Sequence, residues 1–107
     1  PALIILAIDG GTKGKSVGDL GGLYGSILPA AWSLMLTLRA RGLGSCWTTL
    51  HLYQDQEVAA ILGIPDDVTQ AVLLPVAHFT GETFRPAKRL AAAEQIHWNG
   101  WGQHRSG

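Results

Sequence analysis

Two short stretches of this 107-residue chain carry the residue types that bind a cofactor. In residues 42–50 (GLGSCWTTL), two glycines precede a run that ends in hydroxyl side chains. Gly42 and Gly44 let the backbone approach a flat ligand, and hydroxyl and N–H groups at a strand end can bond the polar edge of a ring. Lys88 and Arg89 suit a phosphate because both donate charge-assisted hydrogen bonds. The commoner outcome for such a basic pair is simple solvation.

A glycine-rich stretch near the start, residues 10–16 (GGTKGKS), is similar to a phosphate-binding loop but has the wrong spacing. That motif needs a glycine five residues before its second glycine, so that backbone N–H groups surround the phosphates. Asp9, an anion, occupies the position. No helix is predicted directly after Ser16, and we expect a solvated, flexible loop over residues 9–25 rather than a nucleotide site.

The histidines and the single cysteine do not form a recognisable catalytic or metal-binding set. His97 and His104 are seven apart, a spacing that matches neither a helical pair nor a zinc motif. Cys46 stands in an apolar run beside Trp47, which is the setting of a core residue rather than a nucleophile. A lone cysteine also rules out an internal disulfide. We therefore expect no metal site, and a hydrolase is disfavoured.

The composition predicts one small soluble domain. The 8 Lys and Arg balance the 8 Asp and Glu and are scattered along the chain, which disfavours a nucleic-acid partner. No uninterrupted apolar run reaches the roughly 20 residues of a membrane span, so we expect a cytoplasmic protein with no membrane contact. Only 15% of the residues are charged, against about 25% in typical domains. We expect another segment or subunit to cover part of so apolar a surface.

Three apolar runs predict strands. Residues 2–8 form a continuous run rich in branched side chains, the pattern of a strand buried on both faces of a sheet. Residues 45–50 are typical of a strand that becomes polar at its far end, and residues 70–79 of a second buried strand. Pro75 has no N–H and indicates a bulge or an edge in that last strand.

Two helices and a tail account for most of the remaining chain. Pro29 suits the first turn of a helix over residues 30–41, which is expected to stop at Gly42. A shorter helix is predicted over residues 55–62, and residues 81–107 have the composition of an extended tail. Strands that alternate with helices indicate an α/β or α+β layer of at least three strands in a single domain.

The long predicted helix is apolar on nearly every side. Ser33, Thr37 and Arg41 form one narrow polar stripe, and the other positions are almost all apolar. Such a helix must be buried on more than one face, so we infer that a missing segment or a subunit partner packs there. The alternative is a central helix wrapped by its own small domain.

Four stretches resemble consecutive motifs of the flavin-dependent nitroreductase family. They are the helix and strand at residues 29–50, the short helix and turn at 57–65 (EVAAILGIP), the strand at 71–77 (AVLLPVA) and the late basic motif at 86–89 (PAKR), followed by 97–101 (HWNGW). The resemblance extends from about Ala2 to Trp101. No single motif is decisive, whereas four in the family's order and spacing are fairly specific.

The resemblance implies an α+β fold in which a layered sheet carries packed helices. It also implies an intertwined homodimer with one FMN in each of two sites at the subunit interface. Members of the family move a hydride from NAD(P)H to flavin N5 and then reduce a nitroaromatic, a quinone or a similar acceptor. The long apolar helix packs between subunits in such dimers, and the tail reaches across the partner.

The resemblance assigns cofactor-binding roles to seven residues and no catalytic residue. The matched positions are Trp47, Thr48 and Thr49 along the flavin ring near N5 and O4, as in the iodotyrosine deiodinase branch, Arg89 and then Lys88 at the FMN phosphate, and Gly42 and Gly44 at the turn beside the ring. A donor to N5 stabilises the reduced flavin, and Thr48 or Thr49 is the expected donor.

The family's first half, with its Arg-rich phosphate motif and opening helices, has no counterpart in this sequence. The chain therefore resembles the C-terminal half of a nitroreductase, and one basic pair alone is expected to hold FMN weakly. Three explanations stay open: part of a longer protein, a truncated homologue that binds flavin poorly, or another activity on the same scaffold. The alternative function is a non-catalytic flavin-binding or storage module, or a vestigial homologue that only dimerises. A small acyl-group or nucleotide enzyme on another α/β fold is a further alternative.

Overall fold

The structure, a computed structural model, describes residues 1–105 of the chain. Its regular elements are β1 (Ala2–Asp9), α1 (Val17–Ala40), β2 (Gly44–Ser45), a 3₁₀ turn (Leu50–Gln54), α2 (Asp55–Leu62), β3 (Val68–Ala77) and α3 (Ala92–Gln95). The strands form one antiparallel sheet in the order β1-β3-β2. Apolar side chains of α1 pack against this sheet. The arrangement confirms the predicted α+β architecture.

The core lies between β3 and α1. Val72, Leu74 and Val76 alternate along β3, so their side chains share one face of the sheet. Val72 and Leu74 have no exposed surface, and Ala31 of α1 is equally buried. The predicted buried strand over residues 70–79 is therefore confirmed in type, although it begins at Val68 and ends at Ala77.

β1 forms where it was predicted, but it is not buried on both faces. It pairs with β3 along one side only, from Ala2 opposite Val76 to Asp9 opposite Val68. Its residues are exposed or half-buried, and Leu3 is 73% exposed. The prediction of burial on both faces is wrong for the chain by itself, because the helix layer covers one face of the sheet.

Pro75 lies in the central strand, so the prediction that it indicates an edge or a bulge is wrong. Its carbonyl accepts a hydrogen bond of 3.3 Å from the Cys46 N–H, which shows that its backbone polar side faces β2 rather than β1. The missing N–H therefore costs a bond only on the β2 side, where the ladder is short. The irregularity lies elsewhere, between Leu6 and Ala7 of β1, where Ala71 of β3 has no partner.

α1 begins well before the predicted start, because Ser16 caps it. The Ser16 hydroxyl accepts a hydrogen bond of 3.2 Å from the Asp19 N–H, and the Asp19 carboxylate accepts one of 3.4 Å from the Ser16 N–H. This capping box satisfies two backbone donors at the helix start. The loop predicted over residues 9–25 is consequently wrong: it is confined to residues 10–16, and the glycines that suggested it continue into α1.

Pro29 lies inside α1 and not in its first turn, so that prediction is also wrong. A proline there cannot donate to the carbonyl four residues earlier, which belongs to Gly25. One face of the helix packs on the sheet through Leu28, Ala31 and neighbouring side chains. The opposite face is open, with Trp32 57% and Leu36 53% exposed. Coverage of that face by another segment or subunit stays a prediction.

α1 also meets a simple criterion for a membrane span, which the sequence analysis did not anticipate. The helix has 24 residues, and its most apolar window has a mean hydropathy of 1.2. Gly, Ser and Pro residues are interspersed with the apolar residues of α1, so the sequence has no unbroken apolar run of that length. The contact of α1 with β3 accounts for the apolar character of one of its faces.

The second half of the chain follows the predicted order with shorter elements. The strand predicted over residues 45–50 is reduced to β2 and a bridge between Thr48 and Leu73, after which the 3₁₀ turn begins. α2 matches its predicted bounds, and Gly63 closes it with φ of 69°. The predicted tail over residues 81–107 contains the short α3, and residues 106 and 107 lie outside the described part.

Shortening Leu74 is expected to destabilise the fold. Leu74→Ala removes a side chain with no exposed surface from the contact between β3 and α1. The free energy of unfolding should fall by about 2–5 kcal/mol, as measured by urea denaturation with circular dichroism. Leu3→Ala, at a position that is 73% exposed, is the matched control and should cost less than about 1 kcal/mol. Equal losses in the two variants would contradict this assignment of the core.

Candidate cofactor-binding site

The turn from α1 into β2 requires a glycine. Gly42 has φ of 79°, a left-handed conformation that other residues adopt at a cost. The Gly42 N–H donates to the Arg39 carbonyl and the Leu43 N–H to the Leu38 carbonyl, each at 3.0 Å, so the helix end is satisfied as the chain turns. Gly42 thus brings the chain directly from the helix to the sheet edge.

Gly44 allows a close approach, and the group that approaches is a side chain of the protein. A Cβ atom built on Gly44 would lie 3.1 Å from Cδ1 of Phe79. Phe79 follows β3, so Gly44 lets the start of the tail pack against β2. The prediction that Gly44 admits a flat ligand stays a prediction, since Phe79 occupies the side that a Cβ would take.

Backbone pairing decides which N–H groups of residues 46–49 are free. The Cys46 and Thr48 N–H groups donate to the Pro75 and Leu73 carbonyls of β3, at 3.3 and 3.1 Å. Successive N–H groups of an extended chain point to opposite sides. The Trp47 and Thr49 N–H groups therefore point away from β3, and neither has an acceptor among residues 1–105.

The two threonines differ in their availability. The Thr48 N–H and carbonyl both bond Leu73, and the Thr48 hydroxyl accepts a hydrogen bond of 3.3 Å from the Leu50 N–H. Thr49 is exposed, with its N–H directed outward. The Thr49 carbonyl accepts a hydrogen bond of 3.0 Å from the Leu52 N–H, but among the described residues its N–H and hydroxyl have no partner, so Thr49 is the more available of the two expected donors.

His51 is a further polar residue at this turn that the sequence analysis did not assign to the site. Both of its ring nitrogens are buried and have no hydrogen-bond partner within the described chain. Buried polar groups in folded proteins nearly always have a partner. His51 follows Thr49 by two residues, so its unpartnered ring nitrogens are close in sequence to the outward-facing N–H groups. Its position directly after a strand was the one available sequence signal.

An open groove crosses the sheet at the end where β1 starts and β3 ends, and it includes β2. It has a volume of 490 Å³, which is within the range of small-molecule pockets. The residues that line it come from the start of β1, from β2 and from the end of β3, and they include Ser45, Cys46 and Pro75. Cys46 is exposed, so the prediction of a core thiol is wrong: the chain has already reached the free edge of the sheet at this point.

Lys88 and Arg89 lie on an irregular, exposed segment after β3. No hydrogen bond joins either residue to residues 42–50 in the described part of the chain. The structure therefore leaves both cations free to bind an anion, and it does not by itself unite the two candidate stretches into one closed site.

Residues 10–16, which are similar to a phosphate loop, connect a strand to a helix as such a loop does. The helix start, however, carries a carboxylate. A helix does start directly after Ser16, contrary to the expectation from sequence. The Asp19 carboxylate, however, already accepts the Ser16 N–H at that helix end. Hydrogen bonds from the side chain and the backbone of Ser16, with the charge of Lys15, lower the pKa of Asp19. An ionised carboxylate there repels a phosphate.

The two histidines of the tail, His97 and His104, lie close together, with ring centres 4.7 Å apart. Among residues 1–105, no three or more His, Cys, Asp or Glu side chains lie together as a metal site requires. His97 stacks on Trp101, and its Nδ1 accepts a hydrogen bond of 2.6 Å from the Gly102 N–H. Nδ1 of His104 lies 2.9 Å from the Ile96 carbonyl. Both imidazoles thus organise the tail.

Comparisons with known proteins agree on the kind of fold. A sequence model of the nitroreductase family matches residues 1–78. A solved structure from Parabacteroides distasonis, described as an NADH dehydrogenase/NAD(P)H nitroreductase, is similar with a TM-score of 0.67 and 25% sequence identity. The match covers 92% of this chain and 55% of that one, so this chain spans about half the length of that protein. No curated protein matches the chain.

The capping carboxylate should make stability depend on pH. A carboxyl whose pKa is lower in the folded than in the unfolded state stabilises the fold above its ordinary value of 3.8, and the stabilisation is lost as pH falls through the folded-state pKa. The wild type should therefore exceed Asp19→Asn in free energy of unfolding at neutral pH, by a margin that shrinks below pH 3.8. Urea denaturation across pH measures it. Glu82→Gln, in the irregular segment, is the control without a cap. A margin independent of pH would contradict the capping role.

Proposed function

Because the chain belongs to the nitroreductase family, we propose that it is an FMN-dependent oxidoreductase. The proposed reaction takes a hydride from NAD(P)H and delivers it, through the flavin, to a nitroaromatic, a quinone or a similar small acceptor. The observation that carries the proposal is the pair of outward-facing N–H groups of Trp47 and Thr49 at the strand end that matches the flavin-edge positions. The bound flavin supplies the redox chemistry, and the protein's part is to bind and orient it.

The residues of the sheet edge fit the polar rim of a flavin. Such a rim presents acceptor atoms along one side, and Trp47 and Thr49 present free N–H donors along the outer edge of the sheet. We assign the N5 and O4 side to the Thr49 N–H and hydroxyl, with Thr48 as the residue that holds the turn against β3. A donor fixed near N5 stabilises the reduced ring and so shifts its potential.

The phosphate is assigned to Arg89, with Lys88 beside it. Both side chains are exposed on a segment that has no regular structure, so neither has to be released from another element before it binds. An arginine bonds a phosphate through two N–H groups at once, which favours Arg89 as the main contact. Gly42 and Gly44 are assigned to the turn that holds the ring edge near the helix end.

We further propose that the functional unit is a homodimer. A groove of 390 Å³ runs along the open face of α1, between Trp32, Leu36, Leu43 and Phe84. Exposed aromatic and aliphatic side chains of this kind are typical of the buried centre of an interface. Since α1 leads directly into Gly42 and β2, a second copy seated on this face would lie next to the proposed flavin edge. This is the arrangement that the family resemblance implies.

A second candidate is a flavin-binding or storage module without turnover, or a homologue that only dimerises. The observation that favours it is length, since the chain spans 55% of the similar nitroreductase structure. One basic pair offers fewer phosphate contacts than a complete site. The two candidates differ in whether bound flavin is reduced by NAD(P)H and reoxidised by an acceptor.

The deciding experiment is an absorbance scan of the purified protein after free FMN is removed, with its mass measured by light scattering. A flavin band with a dimeric mass supports the proposed site, and NAD(P)H oxidation in the presence of a quinone then separates the enzyme from a storage module. A colourless protein after reconstitution with FMN would refute the flavin proposal.

Removing the main phosphate contact should weaken FMN binding selectively. Arg89→Ala is expected to reduce the affinity for FMN by about 1.5–3 kcal/mol, or roughly 10- to 150-fold, because a charge-assisted contact is lost. Fluorescence titration measures the Kd. Arg85→Ala, in the same exposed segment but outside the basic motif, is the matched control and should leave the Kd within about twofold. Equal effects of the two substitutions would remove the assignment of Arg89.

A charge placed on the open face of α1 should disrupt the dimer. Trp32→Asp puts a carboxylate at the proposed seam, where its desolvation costs several kcal/mol, and should give a monomer or an aggregate. Sedimentation velocity distinguishes these states. The control is Ile61→Asp, a position on α2 that is 82% exposed and lies outside the groove of α1, and this variant should remain a dimer. A Trp32→Asp protein that sediments as an unaltered dimer would show that this face is not the seam.

A further inference from the structure

The segment that carries the two proposed phosphate ligands has little of its own to hold it in place. We call residues 80–90 the basic segment. Within the described chain, these residues belong to no helix or strand and take part in no backbone hydrogen bond. Their side chains are exposed. The position of Lys88 and Arg89 therefore depends on side-chain contacts made elsewhere in the segment.

Such a contact exists at Phe84, and it leads to the end of α1. The guanidinium carbon of Arg39 lies 5.2 Å from the centre of the Phe84 ring and 4.5 Å from the centre of the Phe79 ring. The two rings also meet each other edge to face, with centres 5.4 Å apart and planes inclined at 63°. Each of these geometries is attractive, the first two through the cation and the ring faces and the third between the rings.

The same cluster is tied to β2. Phe79 packs so closely on Gly44 that a Cβ there would lie 3.1 Å from its ring. Arg39 is in the last turn of α1, shortly before Gly42. One cluster thus joins the helix end, the proposed flavin-edge strand and the basic segment.

This contact limits where the phosphate ligands can go. Lys88 follows Phe84 by four residues, so its Cα lies at most about 14 Å from that of Phe84 even when the chain is fully extended. Without the contact at Phe84, the nearest fixed point before Lys88 is Phe79, and the permitted distance roughly doubles. A tether of half the length raises the effective concentration of the cations near the ring edge.

We infer that Arg39 is a positioning residue for the FMN phosphate: it stacks on Phe79 and Phe84 and so holds the basic segment beside β2. The inference rests on the proposed function, since it assumes that Lys88 and Arg89 meet the phosphate. Arg39 does not contact the ligand in this account. It acts through Phe84, and an arginine suits the role because its planar guanidinium stacks on aromatic faces, as a lysine ammonium does not.

The position of the basic segment is tested first, without flavin. Trypsin cleaves after Lys88 and Arg89, and cleavage at these bonds is followed by mass spectrometry in the wild type and in Arg39→Ala. We expect cleavage to be roughly two- to fivefold faster in Arg39→Ala, because the segment is released. Arg41→Ala is the matched control: it removes the same charge from the same helix end, and Arg41 contacts no aromatic ring among residues 1–105. Phe84→Ala should reproduce the effect of Arg39→Ala, and Arg39→Lys should restore only part of the protection.

The link to the phosphate is tested by comparing two ligands. FMN and riboflavin differ in the phosphate, so the ratio of their Kd values isolates it. Arg39→Ala should weaken FMN binding by roughly two- to fivefold and leave riboflavin binding unchanged. General damage to the fold would weaken both ligands together. Circular dichroism verifies that each variant is folded, and Phe84→Ala serves as the second test if Arg39→Ala is not.

The outcomes separate this inference from the proposed function. Faster cleavage together with a selective loss for FMN supports both. Cleavage in Arg39→Ala and Phe84→Ala equal to that in Arg41→Ala refutes the positioning role, whatever binds. Faster cleavage with an unchanged ratio of Kd values also refutes it, because the position of the segment would then not matter to the phosphate. A wild type that binds neither ligand refutes the proposed function and the phosphate role with it, while the cleavage result still decides whether Arg39 holds the segment.

Discussion

The pairing of β3 with chains on both of its sides is the constraint on which the candidate site depends. β1 uses one side of β3, and residues 44–48 use the other. Once the Cys46 and Thr48 N–H groups are bound to β3, the N–H groups of Trp47 and Thr49 have to face outward. The N–H groups available to a ligand are therefore those of the alternate residues, which do not pair with β3. Their spacing and direction follow from the sheet and not from any special side chain.

A single proline removes one hydrogen bond from the pairing at this edge of the sheet. Thr48 and Leu73 exchange two hydrogen bonds, whereas Cys46 and Pro75 share only one, since Pro75 has no N–H to return. The ladder is thus weakened between β2 and the Thr48 bridge. The strand predicted over residues 45–50 is correspondingly broken, and the chain enters the 3₁₀ turn at Leu50. The outward direction of the Trp47 and Thr49 N–H groups is unaffected, because the bridge at Thr48 maintains the alternation of the extended chain.

Local signals were predictable from the sequence, and tertiary ones were not. The bounds of α2 and its end at Gly63 were predicted correctly, because helix propensity and capping depend on residues that are close in sequence. The start of α1 was predicted too late. The many glycines before residue 25 favour a loop, whereas the capping box that starts the helix involves only Ser16 and Asp19. Neither the unpartnered nitrogens of His51 nor the stacking of Arg39 has a sequence signature, since each depends on which distant side chains fold against it. The positions of the candidate ligands came from resemblance, and the reason that they are available came from the backbone pairing.

The open face of α1 and the basic segment are physically one surface, which has a consequence for the proposed dimer. Arg39 and Phe84 both line the groove that Trp32 and Leu36 form on α1. A second copy seated there would remove water from the guanidinium and the ring as well as from the apolar side chains. A cation–π contact is stronger when it is desolvated. Dimer formation would therefore tighten the hold on the basic segment, and phosphate binding by that segment would in turn favour the dimer, because coupling between two binding equilibria is reciprocal.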